Sequence, residues 1–102
     1  ILYYTANASS NWAVNIRGDA TNTLNSLLAV DQAASIIFLV TQGASSYYPT
    51  SLTIDGSSVT PKWQGAIAPT SGNANGIDAY SYSILKTGNA AYTVLATQSR
   101  FA

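Results

Sequence analysis

The sequence contains no cysteine, no histidine, no glutamate and no methionine. Without cysteine there is neither a disulfide framework nor a thiolate ligand. Without histidine a Ser-His-Asp triad cannot be assembled, and a transition-metal site loses its two favoured ligand types. Charge is nearly as scarce: 8% of the residues are Asp, Glu, Lys or Arg, against about 25% in an average soluble domain. The bases Arg17, Lys62, Lys86 and Arg100 are scattered, and the formal net charge is zero. No basic stripe is available to neutralise phosphates, so no nucleic-acid partner is expected. No run approaches the ~18 apolar residues of a membrane span, so no membrane insertion is expected either. Ile1 is not a translational start. Residues 1–102 are therefore expected to be one domain that was processed, or the C-terminal part of a longer protein.

What is present is apolar and hydroxylated. The hydrophobic share is 47% over 102 residues, and a chain of this size hides only about 60–65% of its unfolded surface. Serine, threonine and asparagine hydrate the surface in place of charge. A neutral domain of this kind tends to associate, which predicts a homo-oligomer or a place in a larger particle.

Two-residue alternation dominates and predicts strands. In DAYSYSILK (78–86), Tyr80, Tyr82 and Ile84 share one face; in AAYTVLATQ (90–98), Tyr92, Val94 and Ala96 do. TGN (87–89) between them reads as the turn of an antiparallel hairpin. LTIDGSSVTPKW (52–63) reads as a second hairpin around Asp55-Gly56, with Pro61 marking an edge or bulge. ASIIFLVTQ (34–42) is apolar on both faces, with Ile36, Phe38 and Val40 on one and Ile37 and Leu39 on the other. Such a strand must be covered on both sides, which makes Ile37 and Leu39 the candidate oligomer interface. NWAVNIR (11–17) and ILYYT (1–5) are further strands. Residues 23–28 are predicted as a short strand with a turn at 30–33, one helical turn being the alternative because Leu24, Leu27 and Leu28 have helical spacing. The expected fold is all-β, an antiparallel, jelly-roll-like β-sandwich of seven or eight short strands.

Chemistry finds little footing. Glycoside hydrolysis needs two carboxylates about 5–10 Å apart, and the acids are Asp19, Asp31, Asp55 and Asp78. Asp55 in its DG turn is expected to bond its own backbone. Asp78 is expected to tie down the long loop before it by accepting backbone N–H bonds. No spaced acidic loop suggests calcium, GNANG (72–76) lacks the lysine of a phosphate cradle, and no signal selects a nucleophilic serine. No catalytic residue, metal or cofactor is expected.

Aromatic residues are the remaining candidates. Tyr47, Tyr48 and Trp63 could offer flat apolar surface to a sugar, with Asn73, Asn75 and Asp78 as hydrogen-bonding groups. The plainer reading makes Trp63 a core anchor under the uncharged stretch that follows it. A subunit interface comes second and a ligand floor third. The loop is too long to order itself, and a neighbouring subunit is expected to supply part of its contacts.

FLVTQGASSYYPTSLTIDG, VTPKWQGAIAPTSGNANGIDAYSYSILKTG and AAYTVLATQSRFA, with NWAVNIRG at 11–18, resemble a domain of bacteriophage structural proteins. The likeness is to tail-fibre and appendage proteins of marine and freshwater phages, including cyanophages. Its recurrent element is V-K-W-x-G-G-x-x-P-T, a polar loop, I-D-x-Y-x-F, then Y-x-V-x-A; Ala66 stands at the second glycine. The resemblance implies a non-enzymatic virion protein whose β-sandwich assembles as a trimer. It further implies contact with other virion proteins and with a host-surface glycan. A capsid decoration protein is the alternative, and a glycan-binding or glycan-cleaving module a more distant one.

Overall fold

The computed structural model describes residues 2–19 and 21–101; position 1, the start of the first expected strand, lies outside them. The described residues form strands β1 (Leu2–Tyr4), β2 (Trp12–Ile16), β3 (Ala33–Thr41), β4 (Pro49–Ile54), β5 (Ser57–Val59), β6 (Lys62–Trp63), β7 (Ile77–Gly88) and β8 (Ala91–Phe101). A single helical turn, α1 (Leu24–Leu27), follows β2, and a 3-10 turn, Gln64–Ala66, follows β6. The larger sheet has the order β1-β3-β7-β8-β6 and the smaller β2-β4-β5.

The all-β, two-sheet expectation holds, but the pairing is mixed. β3–β7, β7–β8 and β4–β5 are antiparallel, whereas β1–β3, β2–β4 and β6–β8 are parallel. Hairpins announce themselves through a turn between neighbouring strands; parallel pairs need crossovers and leave no such local signal. The 78–98 hairpin is longer than its alternation suggested, and Gly88 pairs with Ala91, so the turn falls on Asn89 and Ala90 rather than on 87–89. Ala90 there takes φ 52. The DG hairpin closes as expected, with Ile54 opposite Ser57. Its second strand ends at Val59, however, and after Pro61 the chain crosses to the larger sheet, where Trp63 pairs with Ala96.

Residues 23–28 are not a strand. Leu24–Leu27 form one helical turn capped by Thr23, whose hydroxyl accepts from the Ser26 N–H. An isolated turn is unstable in water. This one is held from outside: the Asp55 carboxylate accepts from the Leu24 and Asn25 N–H groups, and Lys86 Nζ donates to the Asn25 and Leu28 carbonyls. Asp55 thus serves a segment far from its own turn, contrary to the local role expected of it. An anion at the N-terminal end and a cation at the C-terminal end both suit the helix dipole.

The core fills the space between the sheets. Val14, Ile16, Leu52 and Ile54 of the smaller sheet face Val40, Tyr80, Tyr82, Ile84, Val94 and Ala96 of the larger. Tyr82 is its hub: Phe38 and Trp63 meet the ring edge-on at centroid distances of 5.9 and 6.0 Å. Trp12 meets Tyr80 in the same way at 5.6 Å. Such pairs contribute roughly 0.5–1.5 kcal/mol each beyond their burial. No helix of the described residues is long and apolar enough to cross a membrane.

Candidate functional site

Inner-face parity places Tyr80, Tyr82 and Ile84 against the smaller sheet, so the residues between them face outward. The outward set runs across four strands: Tyr3; Ile37 and Leu39; Ile77, Ala79 and Leu85; Leu95 and Phe101. Ser81, Ser83, Thr93 and Thr97 fill the gaps, and no outward position of β1, β3, β7 or β8 is charged. Tyr3 retains 56% of its surface, Leu95 47% and Phe101 57%. Ile37 and Leu39 are half-buried by their strand neighbours alone. The result is a broad sheet face with apolar centres and a hydroxyl fringe, whose one charge is Lys62 at the β6 edge, in register with Leu95.

The remaining candidates divide into two groups. Tyr48 and Trp63 come together in a small cleft of about 160 Å3, with Pro61, Pro69 and Tyr82 among its walls. Trp63 is half-buried and packs on Tyr82, so it anchors the rim of the core while one side of its ring lines the cleft. Tyr47, Asn73 and Asp78 gather elsewhere, in a polar knot under the 64–76 loop. Asn75 is exposed in a turn with φ 59, and its N–H donates to the Gly43 carbonyl. Tyr48 and Trp63 thus share the cleft, while Tyr47 joins the knot through its backbone.

The knot is built on Asp78, which is 0% exposed. Its Oδ2 accepts from the Asn73 N–H at 2.9 Å and from Gln42 Nε2 at 3.0 Å. Oδ1 has no partner among the described residues. Gln42 Nε2 also donates to the Tyr47 carbonyl at 2.6 Å, while its Oε1 accepts from the Tyr47 N–H at 3.2 Å. Gly72 lies so close that a Cβ would collide with the Gln42 amide, the Tyr47 carbonyl and the Asp78 carboxylate. Gln98 Nε2 adds bonds to the Ser71 carbonyl and the Tyr80 hydroxyl, and Asn73 Nδ2 reaches the Phe101 carbonyl. The second half of the loop is thus fixed by contacts within its own protomer. The first half is different: Gly65 and Ala66 take φ 74 and 61, and Ile67 beyond them is 76% exposed. Ala66 keeps a glycine-type backbone where the related pattern has glycine.

Sequence reasoning missed Gln42, Lys86 and Gln98. Each continues the inner-face parity of an apolar strand series: 36-38-40-42, 80-82-84-86 and 92-94-96-98. A polar residue on that parity at a strand end is the signal that marks them. Among the described residues no three metal-ligating carboxylates, imidazoles or thiols come together.

Titration follows from burial. Burial pushes the Tyr80 hydroxyl from 10.0 up to about 12, the bond from Gln98 acting in the opposite sense. Burial raises Tyr82 as well, with the neighbouring Tyr80 adding to the shift. A raised folded-state pKa adds stability that is complete below 10.0 and is lost as pH climbs from there to about 12. Urea midpoints are expected to be flat from about pH 7 to 9.5 and then to fall steeply, with Tyr80→Phe falling less. A midpoint unchanged through about pH 12 would contradict the buried hydroxyls. At the acid end, Asp19 is held at about 2 by bonds from the Asn22 side chain and the Thr21 and Asn22 backbone.

No family model matches the chain, and no curated protein or solved structure matches it either.

Proposed function

We propose that this domain is a non-enzymatic structural module of a phage particle. In this reading it is part of a tail fibre or appendage that assembles with copies of itself and turns polar loops toward a host surface. The observation that carries the reading is the apolar outer face of the larger sheet, which carries a single charge, Lys62, at its β6 edge. Two-sided apolar strands such as β3 suit a sheet buried on both faces. One face of β3 meets the smaller sheet; the other, with Ile37 and Leu39, is left half-exposed. The sequence resemblance to tail-fibre domains supports the same conclusion. The mechanism is burial, at roughly 25 cal/mol per Å2 of apolar surface, repeated by symmetry around a closed ring.

Size-exclusion chromatography with light scattering tests it. The purified domain is expected to run as a trimer, and Leu39→Asp as a folded monomer with unchanged circular dichroism. A monomeric wild-type domain at concentrations of about 100 μM would remove the reading, since a stable interface should clear roughly 1,000 Å2.

A further inference from the structure

Two features on opposite edges of the larger sheet complement each other. β1 and β6 are its two edge strands. On the β1 side an open groove of about 890 Å3 separates the sheets, lined by Tyr4, Trp12, Val14, Ile36 and Phe38 with Arg17 as its one charge. It runs along the free edge of β2, which pairs only with β4 among the described residues. The Trp12, Val14 and Ile16 carbonyls accept bonds from the β4 side. By strand alternation the N–H and C=O groups of Ala13 and Asn15 therefore point out of the sheet edge, unpaired among the described residues.

On the β6 side stands the first half of the loop. Residues 63–77 carry no charge. Ile67 is the most exposed large apolar side chain of the described residues, at 76%. Its backbone is extended, with φ −126 and ψ 116, which is the conformation that can add to a strand edge. An uncharged apolar knob and a groove of mixed apolar and uncharged polar lining, with Arg17 its one charge, thus lie on opposite flanks of one molecule.

We infer that the Ile67 loop of one copy docks in the β1–β2 groove of the next. The contact is head-to-tail: the Ile67 side chain enters the groove while its backbone bonds the β2 edge. A heterologous contact of this kind forms a ring where the rotation closes. It is compatible with a trimer whose outer sheet faces turn toward the axis, each β6 edge meeting a neighbour's β1 edge. The inference rests on the self-association proposed above and names the surfaces that set its order and direction.

The absence of cysteine makes the test clean. Ile67→Cys and Ser9→Cys each introduce one thiol; Ser9 is an exposed residue lining the groove. A short bismaleimide should cross-link a mixture of the two variants into dimers and neither variant alone. The double variant should yield covalent trimers. In addition, Ile67→Asp should weaken self-association about tenfold or more, the loss expected for one buried side chain. If the protein is oligomeric but the mixed variants do not cross-link, the inference fails and the self-association reading stands. Cross-linking of either variant with itself would indicate a twofold contact and overturn the head-to-tail arrangement. A monomeric protein would end both.

Discussion

Asp78→Ala is expected to destabilise the domain by about 2–4 kcal/mol, the cost of stripping acceptors from buried donors. For a domain of this length that is a fall of roughly 10–25 °C in melting temperature. The Asn73 N–H would lose its acceptor, and Gln42 Nε2 would keep only the Tyr47 carbonyl. The effect should be spatially specific. Amide exchange should rise first at 72–76 and at Tyr47, the segments that the carboxylate and Gln42 hold. Asp78→Asn keeps an oxygen for the same donors and is expected to cost less than half as much. Equal losses for the two variants would mean that the negative charge itself, rather than the acceptor geometry, stabilises the fold. Gly72→Ala should loosen the same knot by collision, since the Cβ has no free volume to enter.

This knot also shows how far the sequence could be read. Alternation located β7 and β8, because a strand packed on one sheet must repeat every two residues, and a run apolar on both faces located β3. Parity put Tyr80, Tyr82 and Ile84 on one face, which the structure makes the core face, and set Ile37 and Leu39 opposite Ile36, Phe38 and Val40, as the register has them. Asp78 as the tether of the loop followed from its position before a strand, and the Asn73 bond has that form. What escaped was whatever depended on distant partners. Residues 23–28 have weak helix formers, so a strand looked the better choice. Nothing local could reveal that Asp55 and Lys86 would hold both ends of α1 from 30 and 61 residues away. The parallel pairings escaped for the same reason: β2 and β4 are joined through α1 and β3, with no turn between them to show the register. Nor could the sequence show that Tyr47 and Tyr48, adjacent in the chain, make different contacts, one through its backbone on Gln42 and the other in the cleft by Trp63.

The dependence of α1 on remote charges leads to the second large effect. Lys86 is only 7% exposed, and its Nζ donates to the Asn25 and Leu28 carbonyls at 2.7 Å each. Its backbone is engaged too, accepting from the Asp31 N–H and donating to the Gln32 carbonyl. Lys86→Met keeps the stem and removes both donors, leaving two carbonyls short of partners at about 1–3 kcal/mol each. A loss of about 2–4 kcal/mol in urea denaturation is expected. Because one turn of helix has almost no stability of its own, losing either end should release the whole turn, and with it buried Leu24. Asp55→Ala and Lys86→Met should therefore be less than additive. Once one has freed α1, the other has little left to remove. The double variant is expected to fall short of the summed losses by about 1 kcal/mol or more, beyond the roughly 0.3–0.5 kcal/mol scatter of independent sites. Full additivity would mean that each end of α1 is held on its own, and that the turn survives with one charge gone.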